Sequence, residues 1–153
     1  MKITELLRPE AIRTGADVTD KGQAINTLID LHDGAGNLSD KAGYTRDVLT
    51  REAECVTAIG YGLAIPHAKS GAVKRPGLAA ITVPGGLDCG ALDGKPSRLF
   101  FMIAAPEDGD LHLEILSGLV SLLMDEGLRQ RLLEAETPEA FWEELSRAEA
   151  GQA

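Results

Sequence analysis

Aromatic residues are scarce in this chain: one Trp, two Tyr and three Phe among 153 residues. A core of any size must therefore be built from aliphatic side chains, and the length suits a single domain able to bury one. Only two cysteines occur, Cys55 and Cys89, far apart and without a CxxC. That excludes a disulfide framework and reads as free thiols packed as small apolar groups. No apolar run approaches the roughly 20 residues needed to cross a bilayer. The opening Met1-Lys2-Ile3-Thr4-Glu5-Leu6-Leu7 has neither the apolar core nor the cleavage site of a signal peptide, so a cytoplasmic protein without membrane insertion is expected. Basic residues are outnumbered, 15 Lys and Arg against 24 Asp and Glu, for a net charge of −9. This argues against nucleic-acid binding, which needs a basic face, and fits partners that carry basic patches. We expect one domain over residues 1–147 and a flexible tail over 148–153, where Ala, Gly and Glu predominate.

What is present reads as strands interleaved with helices. Short pieces around Arg8-Pro9-Glu10 suggest a helical turn and an edge strand. Thr19 or Asp20 offers an N-cap to a helix carrying Ile25, Leu28, Ile29 and His32, ended by Gly34 and Gly36. His32 there reads as a packed histidine. Ser39 is the expected cap of a helix over about 40–53, with Val48 and Leu49 inward and Arg51 in its last turn. Cys55–Ile59, Leu63–Ile65, Leu78–Val83 and Arg98–Ala105 read as strands, the last as the central one. A long helix over about 111–124 carries Leu116, Leu119, Val120 and Leu123, and Gly127 is expected to break it. Leu128, Leu132 and Leu133 mark a second, short helix, and Thr137-Pro138 starts the last. Such alternation predicts an α/β fold, a sheet covered by helices on both faces.

The chain is organised around Thr57–Ser70. Gly60 and Gly62 permit positive φ, Leu63-Ala64-Ile65 is a short buried strand, and Pro66 ends it by fixing φ and removing a donor. His67 follows, then Lys69 and Ser70. His112, in the first turn of the long helix, shares its surroundings with free backbone N–H groups and the positive end of the helix dipole, which suit an anion. The candidate set is His67, His112, Arg51, Lys69, Ser70 and the acidic group 107–110. A serine hydrolase would need a nucleophile elbow, and no G-x-S-x-G occurs. A zinc site would need ligands at recognisable spacing, and the three histidines show none. A phosphohistidine site needs one neutral imidazole with a free lone pair, cationic or N–H donors for three phosphoryl oxygens, and an open face. His67, Arg51, His112 and a helix N-terminus supply those. The plainer alternative is a loop histidine bonded to backbone and an exposed His112 with no role.

Arg51-Glu52-Ala53-Glu54 and Ile59-Gly60-Tyr61-Gly62-Leu63-Ala64-Ile65-Pro66-His67-Ala68-Lys69-Ser70 resemble the signature of the enzyme IIA domain of the fructose/mannitol family. That family belongs to the phosphoenolpyruvate-dependent sugar phosphotransferase system. Leu92-Asp93-Gly94-Lys95-Pro96, Phe101–Glu107 and His112-Leu113-Glu114-Ile115-Leu116-Ser117 extend the likeness from about residue 3 to 146. Ala58 stands where a glycine is common, and Tyr61 occupies a variable position on what would be the rim presented to partners.

The resemblance implies a mixed parallel/antiparallel, five-stranded sheet flanked by helices. It implies that His67 accepts a phosphoryl group from the phosphocarrier protein HPr and passes it to a cysteine of an enzyme IIB domain. His112 would be a second histidine helping to bind the group, and Arg51 an arginine facing the same site. No cofactor or metal is implied. Arg51 and a protonated His112 would stabilise charge on the equatorial oxygens, while His67 must be neutral to attack. A hydrogen bond from one ring nitrogen of His67 to a backbone carbonyl would fix its tautomer. Ala68-Lys69-Ser70 and Ala104-Ala105-Pro106-Glu107 point to a fructose-type carrier. The alternatives are a nitrogen-type regulatory protein of the same fold, whose phosphorylation state controls protein partners, and a zinc- or ligand-binding domain.

Overall fold

The computed structural model describes residues 2–54 and 56–151, so the expectations for Cys55 lie outside the described residues. The elements are α1 (Ile3–Leu6), a 3-10 turn (Pro9–Ala11), β1 (Ile12–Arg13), α2 (Lys21–Gly34), α3 (Lys41–Glu54), β2 (Ala58–Gly60), β3 (Leu63–Ala64), β4 (His67–Lys69), β5 (Gly77–Leu87), β6 (Ser97–Ala105), α4 (Leu111–Leu123), α5 (Glu126–Glu134) and α6 (Pro138–Gly151). The last helix thus includes residues 148–151.

The sheet is mixed, in the order β1-β5-β6-β3-β2, with β4 also paired to β6. β5 and β6 are antiparallel, as are β2 and β3, whereas β1 runs parallel to β5, and β3 and β4 run parallel to β6. The described strands number six against the expected five, and Pro66 is the reason. Leu63 and Ala64 pair with Leu99 and Phe100, and His67, Ala68 and Lys69 pair with Ile103, Ala104 and Ala105. β3 and β4 therefore occupy one column of the sheet, cut where proline has no N–H to give the ladder. The Pro66 carbonyl still accepts from Ile103 N at 3.2 Å. His67 is thus the first residue of a new strand and not a residue hung beyond the end of one.

β6 carries the core. Residues Leu99 to Ala105 are all buried, as the near-continuous apolar run of a strand covered on both faces requires. Helices α2 and α3 pack against each other on one side, and α1, α4, α5 and α6 form a connected layer on the other. The Phe101 and Phe141 rings meet on the second side with centroids 5.8 Å apart. His32, wholly buried, sits on the first, one ring nitrogen 3.0 Å from the Met102 carbonyl and the other 3.0 Å from Asn37 Nδ2.

One local expectation, a cap at Thr19 or Asp20, is met by Asp20, and several others need correcting. Asp20 caps α2, accepting from Gln23 N at 2.8 Å. Asp40, not Ser39, caps α3, accepting from Gly43 N at 3.1 Å, while Ser39 Oγ donates to the Ala72 carbonyl. Leu49 is half-exposed, because the buried face of α3 runs through Gly43, Tyr44 and Val48. Gly127 lies inside α5, and the break falls two residues earlier at Asp125, whose carboxylate accepts from Gly127 N and Leu128 N. β5 passes through Pro84, Gly85 and Gly86 with a register shift after Thr82 rather than stopping there. No described helix is long and apolar enough to cross a membrane.

Candidate functional site

Three elements converge on one open cavity of about 450 Å³. α3 contributes Asp47, Thr50, Arg51 and Glu54, at helical spacings of three, one and three residues that place them on a single face. β4 contributes His67 and Lys69, two residues apart and hence on the same side of the strand, together with the backbone of Ala68. The first turn of α4 contributes His112 and Leu113, with Leu116 one turn on. His67, His112 and Arg51, separated by up to 61 positions in the chain, therefore line the same cavity, as does Lys69. Ser70 stands just outside it.

His67 is held by its own chain. Its Nδ1 lies 2.7 Å from the Ile65 carbonyl oxygen. A carbonyl only accepts, so Nδ1 carries the proton, and Nε2 keeps the lone pair. Pro66 fixes the short backbone arc that lets the ring reach back two residues.

His112 is different. Its Nδ1 is shut away from solvent with no hydrogen-bond partner among the described residues. A buried lone pair without a partner costs less than a buried N–H without an acceptor, so the neutral tautomer places its proton on Nε2. Burial pulls the imidazole below its usual range, the charges of Lys69 and His67 pull it in the same direction, and Asp110 opposes them. The partnerless Nδ1 and the downward shift both favour a neutral His112 ring with its Nε2–H as the donor over the protonated ring that was expected.

The walls of the cavity are fixed by polar bonds that the sequence did not suggest. Ser70 Oγ donates to Asp47 Oδ2 in a short bond and accepts from Ala72 N at 3.1 Å, tying the end of β4 to the middle of α3. Glu52, next to Arg51, turns away from the cavity. It accepts from Thr57 N at 3.1 Å and Thr57 Oγ1 at 2.6 Å and pairs with Lys21 Nζ at 2.6 Å. Burial works against the charge on Glu52, but Lys21 and Thr57 outweigh it and hold the carboxyl below the usual carboxylate range. This clamp pins the end of α3 that carries Arg51. Asp47 escaped the sequence reading, although its position four residues before Arg51 was a usable signal. Glu52 gave no such signal, because its partners lie on α2 and in the loop before β2. Tyr61 lies away from this cavity. It sits by the opposite end of β6, beside Ile59, Asp93 and Arg129, and so is no part of the rim around His67.

Arranged this way, the site brings a ring nitrogen with a free lone pair, two cationic side chains and the first turn of α4 around one open space. Residues 5–148 match the family model described as "Phosphoenolpyruvate-dependent sugar phosphotransferase system, EIIA 2". The chain is 44% identical over 142 residues, 92% of its length, to the fructose-specific EIIABC component of the phosphotransferase system of Bacillus subtilis, of which it spans 22%. It is 38% identical over 147 residues, 95% of its length, to the fructose-specific EIIA component of Haloferax volcanii, spanning 90% of that protein. Among solved structures, the nitrogen regulatory protein IIA-Ntr of Neisseria meningitidis superposes with a TM-score of 0.85 at 28% identity, over 94% of this chain and 98% of that one. The chain belongs to the EIIA 2 family of the phosphoenolpyruvate-dependent sugar phosphotransferase system.

Proposed function

We propose that this chain is a fructose-type phosphoryl carrier, acting in the cytoplasm, that takes a phosphoryl group from phospho-HPr onto Nε2 of His67 and passes it to a cysteine of an enzyme IIB domain. The observation that carries this reading is the 2.7 Å bond from His67 Nδ1 to the Ile65 carbonyl, which leaves Nε2 as the nucleophile of a cavity lined by Arg51 and His112. The transfer needs no proton to move. The Nε2 lone pair forms the new N–P bond, the electron pair of the breaking bond returns to the donor's ring, and the proton stays on Nδ1, donated to the Ile65 carbonyl. Charge spreads over the equatorial oxygens of a loose transition state, where Arg51 and the Nε2–H of His112 act as donors. The fructose assignment draws on the names of the two relatives from Bacillus subtilis and Haloferax volcanii.

Incubation with phosphoenolpyruvate, enzyme I and HPr should place one acid-labile phosphate on His67, read by mass spectrometry. His67→Ala should take none, and a labelled His67→Ala protein overturns the assignment. His112→Ala should be phosphorylated more weakly or release its phosphate to IIB more slowly. The likeness to the Neisseria meningitidis nitrogen regulatory protein favours a second reading, in which phosphorylation switches binding to a target protein. Reconstitution with a fructose IIB–IIC transporter separates the two: phosphorylated fructose supports transport, and none supports regulation.

A further inference from the structure

We propose that Lys69 is a phosphoryl-binding residue of this site, its ammonium supplying, with Arg51, the fixed positive charge that receives the group on His67. The inference rests on the carrier reading and deepens it. Lys69 and His67 stand two residues apart on β4, so both side chains leave the strand on one face, and both line the same cavity. Lys69 is exposed and makes no ion pair among the described residues, so its ammonium is not committed to a carboxylate.

The charge inventory shows why a second cation is needed. Asp47, Arg51 and Glu54 face the cavity from α3, Lys69 from β4 and His112 from α4, with Asp110 at the start of that helix. Glu107 lies against Gly71, just beyond β4. Without Lys69, the permanent charges lining the cavity are two carboxylates and one guanidinium, a net negative wall for an arriving phosphoryl group. With it they balance. His112 does not fill the gap, because its Nδ1 has no acceptor for the second proton of an imidazolium among the described residues. Its role is a neutral Nε2–H donor, and the positive charge comes from Arg51 and Lys69. In the transfer itself the ammonium neither gives nor takes a proton. It neutralises oxygen charge while the donor N–P bond breaks and the His67 Nε2–P bond forms.

The test compares native protein, Lys69→Met and Lys69→Arg, each phosphorylated with phosphoenolpyruvate, enzyme I and HPr. Lys69 is exposed, so neither substitution disturbs the core. A cation beside the phosphoryl group favours its dianion. The ³¹P resonance of phospho-His67 should therefore titrate at higher pH in Lys69→Met than in native protein, and Lys69→Arg should restore the native midpoint. The phosphoryl equilibrium with HPr should shift roughly five- to tenfold toward HPr in Lys69→Met, as expected for loss of one partly screened charge contact. Native protein that takes label, with an unchanged ³¹P midpoint and equilibrium in Lys69→Met, overturns the role of Lys69 alone. A slower approach to an unchanged equilibrium, with an unchanged ³¹P midpoint, also overturns it, since that pattern belongs to docking of HPr. Native protein that takes no label overturns the carrier reading and this inference together.

Discussion

At the scale of single residues, two side chains show how much a backbone angle decides. In the proposed carrier role His67 reacts through Nε2, because Pro66 turns its Nδ1 onto the Ile65 carbonyl and that bond assigns the lone pair to Nε2. Tyr61 is held by the opposite circumstance: it adopts φ +59°, between Gly60 at +92° and Gly62 at +74°. A non-glycine residue in that region costs about 1–2 kcal/mol. Two contacts offset it, an Asp93 Oδ2 acceptor 3.1 Å from Tyr61 N and the Arg129 guanidinium 5.3 Å from the ring centroid. Tyr61→Gly removes the strain together with a ring–cation contact of about 0.5–1 kcal/mol, so its stability should lie within about 1 kcal/mol of native. Tyr61→Val keeps the strain, worsens it by β-branching and loses the contact, so it should unfold at clearly lower urea, by about 1–2 kcal/mol. Equal urea midpoints for the two variants would contradict this account. The glycines that frame the turn were legible in the sequence. The left-handed tyrosine between them was not, because no periodicity records the sign of φ.

Among the elements, the strand that carries His67 is held by its backbone ladder to β6 and by a side-chain bridge to α3. β4 is three residues long and pairs only with β6. Its other anchor is Ser70, which bridges Asp47 on α3 and Ala72 N. Ser70→Ala leaves a buried amide and a carboxylate short of a partner and should cost about 1–3 kcal/mol. In a double-mutant cycle with Asp47→Ala, the two changes should couple by at least about 0.5 kcal/mol, whereas independent roles would give additive losses. The helices were readable from their apolar spacing to within a few residues, and Thr137 caps α6 as its place before Pro138 suggests, accepting from Ala140 N at 3.1 Å. Caps and breaks with two candidates close by were not. Ser39 and Asp40 are both good caps, and the choice fell to Asp40 because Ser39 is drawn to the Ala72 carbonyl, 33 residues away. The proline at position 66 was legible as a strand stop, but the resumption of pairing beyond it depends on β6, a partner more than 30 residues distant.

For the molecule as a whole, the wholly buried histidine of α2 makes a large contribution to the response to acid. Burial lowers His32 to about 4, against a stabilising bond to the Met102 carbonyl. An unfolded histidine titrates near 6.5. Between those values the unfolded chain binds a proton that the folded chain refuses, so this contribution is complete above about pH 6.5 and drains away as pH falls toward about 4. Lowering pH from about 7.5 to about 5.5, where carboxylates remain ionised, should cost native protein roughly 1.4 kcal/mol in urea unfolding. His32→Gln should be less stable at neutral pH and show a shallower slope, the remainder including His112. A slope as steep in the variant would assign the acid sensitivity elsewhere. The alternating strands and helices and the central β6 follow from apolar patterning, whereas the meeting of His67 with His112 was legible only through the family resemblance, since no spacing in the chain joins them. The protonation of His112 could not be read that way, since it depends on an enclosed nitrogen and a neighbouring lysine brought in by the fold. The cut at Pro66 has one more effect. Because β3 and β4 share a column without a continuous ladder, a disturbance at the Tyr61 end meets a gap before it reaches the imidazole.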